Sequence, residues 1–150
     1  MQNNGRSKTK GRIQLKRSEV REAAFFLTFE KLFSDESTDA VLDTAYEADV
    51  FEINEDVEKL FKAVDEKSEE LDGIIAEYSK TRQLSRIPRV SVAILRIAVY
   101  EMLYDDKVPD NAAISEAVQL TKKFAFETDV QFVNGLLGAF FRSRGGNTEQ

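Results

Sequence analysis

The sequence predicts an all-α protein of six or seven helices, and three observations carry that prediction. Apolar residues recur at three- and four-residue steps along nearly the whole chain, the pattern of helices with one buried face. Only two prolines, Pro88 and Pro109, interrupt it. Runs of β-branched residues with period-two alternation, which strands would require, are missing.

The first helix is expected to begin near Lys16, with Val20, Ala24, Phe25, Phe29, Leu32 and Phe33 on its apolar side, and to break at Ser34-Asp35-Glu36-Ser37. A short second helix follows with Ala40, Val41, Ala45 and Ala48, ending near Asp49. Between Asn54 and Lys80 the apolar stripe Val57, Leu60, Phe61, Val64, Leu71, Ile74, Ile75 and Tyr78 fits one long helix or two abutting ones broken near Lys67-Ser68. Pro88 suits the first turn of the next helix, whose residues Val90 to Tyr104 are apolar almost all round, as a buried central helix requires. Asp105-Asp106-Lys107-Val108-Pro109 reads as a turn. Asp110 is placed to cap a helix with Ala113, Ile114, Ala117, Val118, Thr121 and Phe124 inward, and Thr128 to cap a last one carrying Phe132, Val133, Leu136, Leu137 and Phe140. Gly135 and Gly138 inside that pattern read as points of close helix packing. The expected organisation is a flexible basic arm over 1–15, a single all-helical domain over 16–142 and a disordered tail over 143–150.

Composition excludes much chemistry. Cysteine and histidine are both absent, which removes disulfides, thiolate nucleophiles, histidine bases and zinc sites built from those ligands. The seven glycines form neither a dinucleotide fingerprint nor a phosphate loop. No cofactor, metal or catalytic residue is expected, so the chain reads as a non-enzyme. The most apolar stretch, Val90 to Tyr104, is too short and, with Arg96 and Glu101, too charged to span a bilayer, and the polar N-terminus lacks the apolar core of a secretion signal. No membrane association and a cytoplasmic location are expected.

The net charge of −6 conceals an asymmetry. Residues 1–21 hold seven basic side chains against Glu19 alone, a net of +6, while the remainder holds 14 basic and 26 acidic ones, a net of −12. A basic arm on an acidic body suits contact with a polyanion. Arg17 and Arg21 stand one helical turn apart with Lys16 beside them, and Phe29 on the same helix is an aromatic surface on which an unpaired base can stack. Phe25, Phe26, Phe29 and Phe33 read most simply as core. Lys122-Lys123 and Arg142 with Arg144 form a second small basic group. From Ser34 to Tyr78 there are 16 acids against three lysines, the composition of a solvated helix face. Arg96, in an otherwise apolar helix, needs an ionic partner. Glu101 points elsewhere on an ideal helix, so Glu116 or a carboxylate of the first helix is expected to supply it.

Three stretches together carry a family resemblance: Lys16-Arg17 with Arg21-Glu22-Ala23-Ala24; Ala93-Ile-Leu-Arg-Ile-Ala-Val-Tyr-Glu-Met-Leu103 before Val108-Pro109; and Pro109 to Phe124 (PDNAAISEAVQLTKKF) followed by Phe132-Val-Asn-Gly-Leu-Leu137. In this order, over roughly 16–141, they resemble the NusB family of transcription antitermination factors. The resemblance implies two small packed helical bundles and a non-enzymatic, RNA-binding role in transcription regulation. It implies single-stranded boxA-type RNA as ligand, a small-subunit ribosomal protein, NusE, as partner, and assembly of an antitermination complex on RNA polymerase. In the family the start of the first helix and the loop leading into the last helix approach the RNA. Carried over, this points to Lys16, Arg17, Arg21, Phe29, Thr128, Gln131 and Phe132, with the acidic long-helix region and the segment after it facing NusE. Ser115 stands where the family pattern has Asn, Ala125 where it has Gly, and Ser91 where Glu is frequent.

Two other readings compete. The helical RNA-binding module of an rRNA cytosine methyltransferase has the same fold, but that enzyme needs a cofactor-binding domain and a cysteine nucleophile, neither of which these residues contain. A protein-only helical scaffold is distinguished by failing to bind RNA. The sequence leaves self-association into a homodimer open.

Overall fold

The computed structural model describes residues 13–146, and all regular structure among them is helical. Residues 1–12 of the expected arm and 147–150 of the expected tail therefore lie outside the described residues. The helices are α1 (Arg17–Lys31), α2 (Thr38–Ala48), α3 (Glu55–Glu66), α4 (Ser68–Tyr78), α5 (Arg89–Tyr104), α6 (Asp110–Phe124) and α7 (Glu127–Ser143), with one 3-10 turn at Leu84–Arg86. The long acidic stretch is two helices broken at Lys67, one of the two arrangements its spacing allows. The chain divides between Glu66 and Lys67 into two compact units, in keeping with the two small helical bundles that the resemblance implies.

In the first unit α1 packs on α2 and α3. Val20, Ala24, Phe25 and Leu27 of α1, Val41 and Leu42 of α2, and Val57, Phe61 and Val64 of α3 are its core. The Ser37 hydroxyl starts α2 by accepting from the Ala40 N–H at 3.1 Å, satisfying one of the free donors of the first turn. Asp49 ends it with φ 53, a left-handed conformation that aspartate tolerates better than most residues. Buried Asn54 performs two tasks. Its Oδ1 accepts from the Val57 N–H at 3.0 Å to cap α3, and its Nδ2 donates to the Ile13 carbonyl at 2.9 Å, pinning the segment that leads into α1. Phe33 is 60% exposed and does not belong to the core.

In the second unit α5 packs on α4, α6 and α7. Every residue from Ser91 to Val99 is buried, so its all-round apolar character reflects neighbours on several sides. Two of the expected caps belong to neighbouring residues. Pro109, not Asp110, occupies the cap position of α6, and Asp110 instead accepts from Arg144 at 2.9 Å. Phe126, not Thr128, precedes α7, whose first turn is closed by Asp129. The expectation of close packing at the glycines fails: a Cβ at Gly135 would meet nothing within 4 Å, and one at Gly138 only the Arg142 side chain. Helix α7 ends at Ser143, the first residue of the expected tail.

Arg96 has a partner, but neither of those expected. Its Nε and Nη2 donate to the two oxygens of Asp72 on α4 at 2.8 and 2.7 Å. Such a two-pronged contact offsets the loss of water around the guanidinium, whose side chain is only 11% exposed. Removing one member of such a pair strands the other, at a cost of about 3 kcal/mol. Denaturant unfolding of Asp72→Ala is therefore expected to show a loss of that order, largely recovered by Asp72→Leu combined with Arg96→Met. A loss within about 0.5 kcal/mol for the single variant would mean that the pair does not support the fold.

Candidate nucleic-acid interface

The residues singled out from sequence fall in both units, four in the first and three in the second. In the first unit Lys16 occupies the cap position of α1, and its N–H donates to the Glu19 carboxylate at 2.8 Å, which fixes the direction in which the chain enters the helix. Lys16 and Arg17 are exposed. Arg21, expected to share that solvated face, is 5% exposed. One turn along α1, the same face has passed from solvent into the body of the protein, where Arg21 is not without a partner. Of the two arginines only Arg17 is exposed.

Phe29 is half-buried in a row of rings, 6.3 Å from Phe25 and 5.0 Å from Phe33, and lines a cavity of about 280 Å³ with Phe26, Val50 and Phe51. Twelve residues of α-helix place it about 18 Å from Arg17 along the axis, too far for the two to hold the same nucleotide. The structure does not bring them together. The lysines of the acidic helices are partly occupied: Lys62 Nζ lies 2.9 Å from Asp39, whose hydrogen bond holds the amine above the ordinary lysine range, and Lys31 lies 3.9 Å from Asp65.

In the second unit Thr128 and Gln131 are exposed on the first turns of α7 and Phe132 is half-buried beside them. Buried Asp129 organises this corner. One of its oxygens accepts the Phe126 N–H at 3.2 Å and the other accepts from Arg82 at 3.0 Å. The Arg82 guanidinium then lies 4.4 Å from the centre of the Phe132 ring, so that face of the ring is already covered by a cation. Arg82 was not among the residues picked from sequence. Its signal was available: Lys80, Arg82, Arg86 and Arg89 stand within ten residues that contain no acid. Lys80, Arg86 and Arg89 are exposed.

The second basic group is split. The Arg144–Asp110 contact ties the end of α7 to the start of α6, which leaves Lys122 and Lys123 at the other end of α6, beside the start of α7. These lysines are exposed and can extend a positive track next to Thr128 and Gln131, whereas Arg144 is engaged by Asp110 and lies over Phe140. Ala125 is extended, φ −136 and ψ −167, so the glycine of the family pattern is not needed there. Ser91 is fully buried and offers no side chain to a partner. Among the described residues no group of three acidic or other metal-binding side chains is placed to hold an ion, and no helix is long and apolar enough to cross a membrane.

A sequence model described as the NusB family matches residues 18–142. The transcription antitermination protein NusB of Thermoanaerobacter sp. (strain X514) is 37% identical over 132 residues, 87% of this chain and 94% of the relative. Two solved structures share the fold. T. maritima NusB matches with a TM-score of 0.73 at 25% identity, over 87% of this chain and 93% of that one. The antitermination factors NusB and NusE in complex with double-stranded RNA match with a TM-score of 0.73 at 25% identity, over 85% of this chain and 96% of that one.

The contrast in burial between Arg17 and Arg21 separates their roles. Thermal melts should place Arg17→Ala within about 0.5 kcal/mol of the parent, as for an exposed helix position. Arg21→Ala should lose at least about 1 kcal/mol, because it removes a buried stem and its contacts. Equal and negligible losses would show that Arg21 is in fact solvated.

Proposed function

The chain belongs to the NusB family, and on that premise we propose that it is a non-catalytic, cytoplasmic RNA-binding adaptor for transcription antitermination. It takes boxA-type RNA and NusE together and helps to assemble the antitermination complex on RNA polymerase. The observation that carries this reading is the match of almost the whole described chain to a NusB solved with NusE and RNA.

Physical features of the chain support it. Lys80, Arg82, Arg86 and Arg89 cluster in a segment that itself contains no acid, and exposed lysines close α6 beside the polar start of α7. With Arg17, these can neutralise phosphates. The acids of 34–78 suit a basic protein such as a ribosomal one. Single-stranded RNA is the expected form of the ligand, because only unpaired bases offer their faces and edges to a helical surface. The solved relative holds a duplex, which makes the duplex the informative comparison.

RNA titrations at several salt concentrations test the proposal, using boxA-type, scrambled and duplex RNA with and without NusE. Tighter binding of the single strand than of the duplex is expected, and NusE should tighten it further. Arg17→Ala should lower the log–log salt slope by about 0.7, one phosphate contact, while alanine at Lys59 on the acidic side should leave it unchanged. No binding to any of the RNAs, or an affinity indifferent to NusE, would contradict the proposal.

A further inference from the structure

Phe126 is anomalous in its surroundings. It lies on the two-residue link between α6 and α7, and its side chain is 78% exposed. Neither a ring nor a cation is stacked on it among the described residues, whereas Phe124 and Phe132 nearby carry Lys123 and Arg82. An exposed aromatic ring normally signals a loose loop, and here the backbone is the opposite. The Phe126 N–H is held by Asp129, its carbonyl accepts from the Asp129 and Val130 N–H groups at 2.9 and 3.1 Å, and the preceding Ala125 N–H donates to Thr121 at 2.8 Å. Asp129 is in turn fixed by Arg82. The link is anchored at both ends, and the ring stands on a rigid base.

We propose that the Phe126 ring, on the link into the last helix and not among the residues that the family resemblance supplies, is a stacking platform for one unpaired RNA base. The inference rests on the RNA-binding reading above. A ring exposed over most of its surface suits a base, because π-stacking needs a face and not a pocket. A protein side chain seeking burial would instead use a hollow such as the Phe26–Phe29–Phe51 cavity in the first unit. The chemistry around the ring agrees. Exposed Lys122 and Lys123 precede it and can hold the adjoining phosphates. Exposed Thr128 and Gln131 follow it and can hydrogen-bond base edges. Glu127 is the exposed acid next to it, while the charge of Asp129 is met by Arg82. Ring and cations together form a platform beside a positive track, the arrangement by which single strands are held.

The test uses the full chain, a single-stranded boxA-type oligonucleotide and the same oligonucleotide made abasic. F126A is expected to bind the single strand about ten-fold more weakly, the scale of one stacked base, with an unchanged salt slope and an unchanged melt. F126W should keep the affinity. The chain contains no tryptophan, so fluorescence from F126W reports this position alone, and it should be quenched by the oligonucleotide but not by its abasic form. If the parent chain binds no RNA, the functional reading itself fails and the subsite with it. If the parent binds but F126A binds equally well, or F126W is quenched equally by the abasic strand, the stacking proposal is overturned while the RNA reading stands. Quenching by NusE in place of RNA would overturn it as well, by making the ring a protein contact.

Discussion

Much of the proposed RNA-facing corner depends on one buried carboxylate. Asp129 is 4% exposed, and an uncompensated charge in that position would be costly. It is compensated twice, by the N–H that opens α7 and by the Arg82 guanidinium. The consequences spread from those two contacts. The first fixes where α7 starts and which way the α6–α7 link runs. The second draws in the 79–88 segment with its cations and lays Arg82 over Phe132. Polar side chains at Thr128 and Gln131, cations at Lys122 and Lys123, and the Phe126 ring thereby acquire defined positions on elements that do not need a ligand to order them. Preorganisation of this kind lowers the ordering cost that a loop-borne site would meet on binding.

The first unit applies the same economy to its own polar groups. Asn54 is buried with its acceptor on the first turn of α3 and its donor on the Ile13 carbonyl, so one side chain both starts a helix and fixes where the N-terminal segment joins the body. Glu19 closes the turn that follows. The result is a defined entry into α1, with Lys16 and Arg17 exposed at its start. Acids gather on α2 and α3, which disfavour a polyanion there and leave the start of α1 as the more favourable side of the unit.

The sequence disclosed the helices well because their signal is local. The all-apolar run of α5, the break at Lys67 and the spacing of α7 are set by neighbours within a few residues, which periodicity reads directly. Caps were placed less well, since Asp110 and Thr128 are good capping residues by type while Pro109 and Phe126 occupy the positions. Long-range pairing was not legible. Arg96 announced that it needed a partner, yet Asp72 lies 24 residues away and nothing local distinguishes it from Glu116. Arg21 shows the limit of spacing arguments: it shares a stripe with Arg17, but spacing does not say how far along the stripe solvent extends. Arg82 was overlooked because its importance comes from Asp129 and Phe132, and Phe126 because exposure is a property of the folded chain. In both cases the residues most informative about binding are those whose surroundings, and not their type, make them unusual.

Backbone amide chemical shifts, followed as single-stranded boxA-type RNA is added to the isotope-labelled chain, test the central claim directly. The account predicts shifts concentrated at the start of α1, in 80–89 and from Lys122 to Phe132, with the exposed acidic sides of α2 and α3 unmoved. Shifts centred on those acidic helices, with the start of α7 silent, would contradict it.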